Sequence, residues 1–300
     1  MQELRGRKES LHALAFAADN RFLVVGGTAC RVDVWDLANP TARRPMFSRQ
    51  VHTVAHLWIS PDGREFIAAE LTDGAVSRYQ LDNPAARKDF TPSLTSNTLA
   101  PPRILPDGSG VVCGRTPTRW NFAAGSEPVW QATNRRRSGH DAIAYAVARD
   151  CVQLAVGELT SLTATYRVRV YLMGTDDPPQ EIGVVSNHIK RLAWSPGGEY
   201  LAAAVDTRVF VWKSDGQLLT QFRIAGRKHV MDVAFHPSGR YLAVADNAGT
   251  IRLLETDAWT ESRVFAWGLP KARCIAFSPD GALAAAGSEN GKVILWDVDL

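Results

Sequence analysis

The sequence contains no long run of apolar residues. Although 45% of its 300 residues are hydrophobic, no stretch approaches the roughly 18 consecutive apolar residues that a membrane-spanning helix needs. The N-terminal segment is charged, and it lacks the apolar core and small-residue cleavage site of a secretory signal. We therefore expect a cytoplasmic protein with no membrane partner.

Recognisable chemical motifs are also lacking. The four cysteines form no CxxC pair, and the seven histidines do not pair at the spacing of metal ligands. The GxSxG, HExxH and GxxxxGK signatures are absent, and no GxGxxG follows a strand. We predict no catalytic residue, no cofactor and no metal site, and hence a protein that is not an enzyme.

The sequence does contain a repeated segment, in which a short apolar strand leads into a turn such as Pro-Asp-Gly. Clear copies lie at 192–204, 233–245 and 275–287. The last apolar residue before the turn recurs at steps of 43, 45, 43, 47, 41 and 42 residues. These markers are Phe16, Ile59, Ile104, Val147, Trp194, Phe235 and Phe277. A period of about 40–45 residues is typical of one four-stranded blade of a β-propeller.

Seven such copies predict an all-β fold, a single seven-bladed β-propeller of four-stranded antiparallel blades spanning residues 1–300. Leu4 precedes the marker Phe16 by 12 residues, the same offset at which Phe47, Ile182 and Phe265 precede their next markers. We therefore expect residues 2–5 to be the N-terminal strand that completes the last blade and closes the ring. The predicted blades are 10–48, 53–91, 98–131, 140–184, 188–222, 229–265 and 271–300 together with 2–5.

Several predicted third strands end in a tryptophan followed by a polar residue. The literal Trp-Asp pair occurs at Trp35-Asp36 and Trp296-Asp297, with variants at 119–121 and 211–213. These repeats resemble the WD-repeat β-propeller family in degenerate form, over nearly the entire chain. The resemblance implies a closed propeller that serves as a protein-interaction platform.

The net charge of +3 conceals an uneven distribution of charge among the predicted loops. One face of a propeller carries two kinds of loop: those that connect consecutive blades and those between the second and third strands of a blade. The loops that connect consecutive blades are rich in cations. The third-to-fourth-strand loops of the opposite face collect acids. Two interpretations are open: the loops collect charge for solubility, or they form a basic face that attracts an anionic partner. Its predicted binding residues are Arg135, Arg136, Arg137, His140, His188, Lys190, Arg191, Arg227, Lys228, His229, Lys271 and Arg273, with Arg223 among the further cations of the same loops. The segment around 157–167 is predicted to be a long loop between the second and third strands; it either projects beside Arg135–Arg137 on the binding face or is only a hairpin extension.

The favoured function is a non-catalytic scaffold or adaptor, expected to be a monomer, that binds an acidic or phosphorylated protein. One alternative is nucleic-acid or other polyanion binding through the basic face, which is less favoured because exposed aromatic residues are not interleaved with the cations. Another alternative is an enzyme with a site at the central channel.

Overall fold

The computed structural model of the protein describes residues 1–6, 8–28, 31–39, 43–47, 53–71, 74–83, 86–93, 99–125, 127–132, 140–160 and 163–299. Within these ranges the regular structure is almost entirely strand, with one 3₁₀ helix at Ala225–Arg227. The first thirteen strands are β1 (Gln2–Arg5), β2 (Leu11–Phe16), β3 (Phe22–Gly27), β4 (Arg31–Asp36), β5 (Arg43–Phe47), β6 (Val54–Ile59), β7 (Glu65–Glu70), β8 (Val76–Gln80), β9 (Arg87–Phe90), β10 (Arg103–Ile104), β11 (Gly110–Cys113), β12 (Thr118–Asn121) and β13 (Pro128–Gln131).

The remaining strands continue the same pattern. They are β14 (His140–Val147), β15 (Gln153–Thr160), β16 (Thr165–Leu172), β17 (Gln180–Val185), β18 (Ile189–Trp194), β19 (Tyr200–Val205), β20 (Arg208–Lys213), β21 (Leu218–Arg223), β22 (Val230–Phe235), β23 (Tyr241–Asp246), β24 (Ile251–Glu255), β25 (Thr260–Phe265), β26 (Ala272–Phe277), β27 (Leu283–Ser288) and β28 (Lys292–Asp297).

These strands form seven sheets of four; six contain four consecutive strands, and the seventh has the order β1-β28-β27-β26. We number the blades 1 to 6 for β2–β5, β6–β9, β10–β13, β14–β17, β18–β21 and β22–β25, and blade 7 for β26–β28 with β1. The predicted fold class, an all-β seven-bladed β-propeller, is confirmed.

The N-terminal strand completes blade 7, as the spacing of Leu4 predicts. Strand β1 pairs antiparallel with β28, placing Leu4 opposite Val293. The Leu4 side chain is buried, and the Gly6 amide donates to the Gly291 carbonyl at 3.1 Å. The outer edge of the last sheet is therefore held by the first residues of the chain.

The chain divides into two compact units. One comprises Met1–Leu71, Val76–Asp89 and Met231–Leu300, and the other comprises Thr72–Ala75 and Phe90–Val230. In the first unit, a core between blades 7 and 1 includes Leu11 and Val293. In the second unit, a core between blades 4 and 5 includes Ile189, Trp194 and Leu201.

Second strands carry small residues because neighbouring blades approach them closely. A Cβ atom built on Gly26 would lie 2.5 Å from Val54 Cγ1 at the start of the next blade. Within the second unit, a Cβ atom on Gly157 would lie 3.1 Å from Ile189 Cγ2. Val54 and Ile189 both begin a first strand, so glycine at equivalent places gives each inner strand room to pack.

The predicted turns between first and second strands depend on serine as well as on proline and glycine. Gly63 and Gly281 have φ angles of +66° and +80°, which glycine adopts without steric cost. The Ser278 hydroxyl accepts from the Leu283 amide at 2.9 Å, and the Ser60 hydroxyl accepts from the Glu65 amide at the same distance. The serine side chain therefore fixes the start of the second strand.

Candidate functional site

Three segments of blade 5 and its entry converge at one end of the blade. They are the connection that follows β17, the turn between β19 and β20, and the last residue of β21. Together they line an open cleft of about 180 Å³, which we call the blade-5 cleft. Its lining residues are Ser186, Asn187, Val205, Asp206, Thr207, Arg208 and Arg223. All of them belong to the second unit.

The floor of the blade-5 cleft is a two-residue turn with a fixed backbone. Asp206 has a φ angle of +52°, in the left-handed region that aspartate tolerates better than most residues. Its carbonyl accepts from the Val230 amide at 2.8 Å, and the Thr207 carbonyl accepts from the Ile224 amide at 2.9 Å. The turn is thus anchored to the segment that leaves β21.

Two arginines face each other across the outer strands of the cleft. Arg208 and Arg223 are cross-strand partners in the β20–β21 register, and both are exposed. Neither guanidinium has an ion-pair or hydrogen-bond partner among the residues that the structure describes. Like charges placed directly opposite each other in a sheet are destabilising. This end of blade 5 therefore carries a concentrated positive charge that the fold itself does not neutralise.

A single acid accompanies these arginines among the described lining residues. Asp206 Oδ1 lies 2.7 Å from His229 Nδ1, so this carboxylate already has a partner. The other polar groups of the lining are the hydroxyls of Ser186 and Thr207 and the amide of Asn187. Apart from Asp206, the lining is rich in hydrogen-bond donors, which suits an anionic group.

His188 and Lys190 flank the cleft. His188 follows the lining residue Asn187, and its ring makes an edge contact with Tyr166 at a centroid distance of 6.0 Å. Partial burial lowers the pKa of His188, and the positive charge of Lys190 lowers it further. Lys190 itself is half-buried at a register shift between Ile189 and Arg191.

The predicted long loop of blade 4 is mostly strand. Strands β15 and β16 each run for eight residues and pair from Gln153–Leu172 to Thr160–Thr165. Residues 157–160 and 165–167 therefore extend the hairpin, so the hairpin-extension alternative holds and the expectation of a loop over 157–167 is corrected. Leu159 and Tyr166 pack against the core between blades 4 and 5, so apolar contacts hold the extension in place.

His140, a predicted binding residue, belongs to a buried polar network in blade 4. Its Nδ1 lies 3.2 Å from Thr160 Oγ1 and 3.6 Å from Glu158 Oε2. Glu158 also accepts from Arg169 at 3.0 Å and from the Tyr171 hydroxyl at 2.5 Å. Burial and the charge of Glu158 raise the pKa of Tyr171 well above its usual value. The neighbours of His140 thus lie within its own blade.

Lys271 and Arg273, in the first unit, share one carboxylate. Lys271 Nζ lies 2.9 Å and Arg273 Nη2 lies 3.8 Å from Glu289 Oε2. Their positive charge is therefore partly neutralised within blade 7, in contrast to the charge of Arg208 and Arg223.

The other predicted binding residues are placed as follows. Arg135, Arg136 and Arg137 lie outside the described residues, as does the side chain of Arg227. Arg191 and Lys228 are half-buried, and His229 is exposed beside Asp206. The structure thus brings His188 and His229 to the rim of the blade-5 cleft. That the predicted residues bind a partner stays a prediction.

Sequence reasoning did not select the residues that line the cleft. Arg223 is one of the further cations of the basic loops but not a predicted binding residue, and Arg208 is in neither set. The usable signal is a strand that begins with arginine directly after the short turn Asp206–Thr207. Such a residue lies at the rim of the blade, because a two-residue turn leaves no loop beyond it.

In the described part of the chain, no group of three or more His, Cys, Asp or Glu side chains is arranged to hold a metal ion. No helix within the described ranges has the length and apolar character needed to cross a bilayer.

Comparison with known proteins identifies the repeats. The family model of the WD domain, G-beta repeat, matches residues 179–213, 216–254 and 270–297, which fall in blades 4 to 7. Human echinoderm microtubule-associated protein-like 2 is 31% identical over 120 residues, covering 39% of this chain and 18% of that protein. Mouse WD repeat-containing protein 1 is 28% identical over 178 residues, covering 55% of this chain and 27% of that protein.

A third relative is shorter. Meiotic recombination protein rec14 of Schizosaccharomyces pombe is 26% identical over 105 residues, covering 35% of each chain. The matches to these three relatives span 35% or less of the relatives' own lengths. Together with the seven four-stranded blades, the matches confirm the predicted resemblance to WD-repeat β-propellers, and the matched repeats lie in blades 4 to 7.

Proposed function

We propose that the protein is a non-catalytic interaction scaffold, and that the blade-5 end of its basic face binds an acidic segment of a partner protein. The WD repeats and the WD-repeat relatives support the scaffold role. The acidic nature of the partner is our inference from the charges of this chain. The cytoplasmic location and the monomeric state stay predictions.

One observation carries the proposal. Arg208 and Arg223 are held opposite each other, exposed and without a partner among the described residues. Their mutual repulsion costs stability, and an acidic ligand would remove that cost while gaining charge-assisted hydrogen bonds. Lys190 and Lys228 extend the positive charge around the same end of blade 5, which would speed encounter with an anionic surface.

The test is affinity capture from the native source with the full chain, followed by mass spectrometry. The variant is Arg208→Glu/Arg223→Glu, and a second variant reverses the charges of Arg135, Arg136 and Arg137. Arg149→Glu serves as the control, because Arg149 is exposed in the turn between β14 and β15, at the opposite end of blade 4. We expect a defined set of proteins to be lost with Arg208→Glu/Arg223→Glu and retained with Arg149→Glu.

The same capture separates the alternative functions. Nuclease treatment before capture removes partners that are bridged by nucleic acid, so loss of all partners after treatment would favour polyanion binding. Polyanion binding would also fall steeply with salt for every nucleic-acid sequence. Retention of every captured protein by both charge-reversed variants would contradict binding through the basic face.

A further inference from the structure

We propose that the blade-5 cleft recognises a phosphate group carried on a side chain of the partner protein. This inference rests on the proposed function and makes it more specific, since it names the chemical group that Arg208 and Arg223 would bind. The argument uses the donors of the cleft, its volume, its charge and its rigidity.

The donors suit a tetrahedral anion. Arginine presents several N–H groups in a planar fork that can bind phosphate oxygens in pairs. Two such forks come from neighbouring strands, at the cross-strand pair Arg208–Arg223. The hydroxyls of Ser186 and Thr207 line the same cleft. A phosphate monoester has three terminal oxygens and can accept from all of these groups together.

The volume favours one functional group over a whole cofactor. Pockets for drug-sized ligands measure about 300–1,000 Å³. The blade-5 cleft, at about 180 Å³ and open to solvent, is smaller than that range. A nucleotide or a coenzyme would extend well beyond it, whereas the end of a modified side chain would fit inside.

The charge favours phosphate over a carboxylate. A phosphomonoester carries about −1.5 to −2 charges at neutral pH, which matches two guanidinium groups better than one carboxylate does. The cleft already contains one carboxylate, on Asp206, and its nearest described partner is His229 at 2.7 Å. The Asp206 carboxylate therefore does not neutralise Arg208 or Arg223. A ligand group that neutralises both arginines needs a charge higher than that of one carboxylate.

The floor of the cleft is organised before any ligand arrives. The carbonyls of Asp206 and Thr207 accept backbone hydrogen bonds from Val230 and Ile224. Arg208 and Arg223 begin and end paired strands of the same sheet. Binding would consequently order two side chains and little backbone, which keeps its entropic cost low.

The first experiment uses inorganic phosphate as the probe and the melting temperature of the full chain as the readout. Phosphate should raise the melting temperature of the natural protein in a dose-dependent way, because a ligand that binds the folded state stabilises it. Potassium acetate at equal ionic strength is the reference. Arg208→Gln and Arg223→Gln should each raise the melting temperature without phosphate, because repulsion is relieved, and should each abolish the response to phosphate.

Arg149→Gln is the matched control, since Arg149 is also exposed and its guanidinium has no partner among the described residues. It should keep the full response to phosphate. If Arg149→Gln loses the response as far as Arg208→Gln does, the effect is one of net charge, and the proposed phosphate site is overturned.

The second experiment tests the protein-borne phosphate directly. Fluorescently labelled peptide pools with a fixed central phosphoserine or phosphothreonine and random flanks are compared with pools that carry serine, threonine or glutamate instead. We expect the phosphorylated pools to bind at least about 10-fold more tightly, because the unphosphorylated peptides lack the charge-assisted hydrogen bonds that the phosphate accepts. Arg208→Gln and Arg223→Gln should each remove most of this difference.

Equal binding of phosphorylated and unphosphorylated pools would overturn the phosphate site while leaving the scaffold proposal intact. Phosphatase treatment of the native extract makes the same distinction. Loss of the captured partners after treatment would support the phosphate site. If partners whose capture depends on Arg208 and Arg223 are still captured after treatment, the phosphate site is contradicted. Failure of the natural protein to capture any partner would count against the scaffold itself. Tighter binding to a single-stranded RNA pool than to the phosphorylated peptides would also overturn the proposal.

Discussion

Arginines on neighbouring blades of the second unit differ in burial and in whether a carboxylate neutralises them. In blade 4, Arg169 is buried and lies between two carboxylates, 3.0 Å from Glu158 and 3.6 Å from Glu181. In blade 5, Arg208 and Arg223 are exposed and face each other with no acid bound to either among the described residues. Carboxylates therefore neutralise the arginine on a strand of blade 4, whereas no carboxylate pairs with the two arginines on the strands of blade 5. The contrast separates charge that supports the structure from charge that is available to a ligand.

The largest expected effect tests the structural side of this contrast. Glu158→Ala should destabilise the protein by about 3–5 kcal/mol, because Arg169 and Tyr171 would lose a buried partner. Urea unfolding followed by circular dichroism measures the change. Glu158→Ala/Arg169→Met should cost less than Glu158→Ala alone, since the stranded charge is removed with its partner. A double variant whose cost equals the sum of the two single costs would contradict this coupling.

A smaller effect is expected where the pair is more exposed. Glu289→Gln should cost about 0–1 kcal/mol, because the side chains of Lys271 and Glu289 are both about one-third exposed and solvent screens the pair. It should also turn Lys271 and Arg273 into cations that lack this carboxylate. Phosphate should then stabilise Glu289→Gln more than it stabilises the natural protein, measured as a larger rise in melting temperature. An identical rise in both proteins would show that releasing cations is not sufficient to create an anion site.

The pH dependence of Glu181 sharpens the same comparison. The hydrogen bond from Arg167 lowers the pKa of Glu181, with further contributions from the charges of Arg167 and Arg169. Because the folded-state pKa lies below the unfolded one, the stabilisation is present above the unfolded pKa and is lost as pH falls through the folded pKa. Glu181→Gln should therefore be less stable than the natural protein at pH 7 and no less stable near pH 3, in parallel urea titrations. A stability difference independent of pH would contradict the assignment.

The smallest expected effect belongs to blade 5. Arg208→Gln should stabilise the protein by about 0.2–0.5 kcal/mol in phosphate-free buffer, because two like charges no longer face each other. The gain should shrink in high salt, which screens exposed charges. Denaturant unfolding at low and high ionic strength measures both. A loss of stability in Arg208→Gln would mean that Arg208 has a structural partner after all.

The fold could be read from the sequence because the repeat fixes it many times over. The recurrence of residues such as Phe235 and Phe277 sets the blade length, and the offset of Leu4 correctly predicts that β1 belongs to blade 7. Local chemistry agrees with this period, since Ser-Pro-Asp-Gly forms the same turn wherever it occurs. The extended hairpin of blade 4 was harder to predict, because the turn formers Gly157 and Ser161 are mixed with residues that favour strands, such as Thr165 and Tyr166.

The pairing of charges could not be read in the same way. The partner of each charged side chain depends on the strand register and on the rotamer that the side chain adopts. Lys271 lies beside Glu289, whereas Arg208 lies beside Arg223. The β20–β21 register shifts between Val211 and Trp212, and no residue pattern announces that shift. Sequence alone therefore located basic loops without showing which of their cations were already neutralised.

The pairing of β1 with β28 has a consequence for biosynthesis. The ribosome makes residues 2–5 before their partner strand, Lys292–Asp297, and six complete blades lie between the two segments in the sequence. Throughout that interval Leu4, which is almost completely buried in the finished protein, has no sheet to join. The nascent chain must therefore carry β1, with its apolar residue Leu4, without a partner strand until β28 has been made, and contacts between such distant segments form slowly.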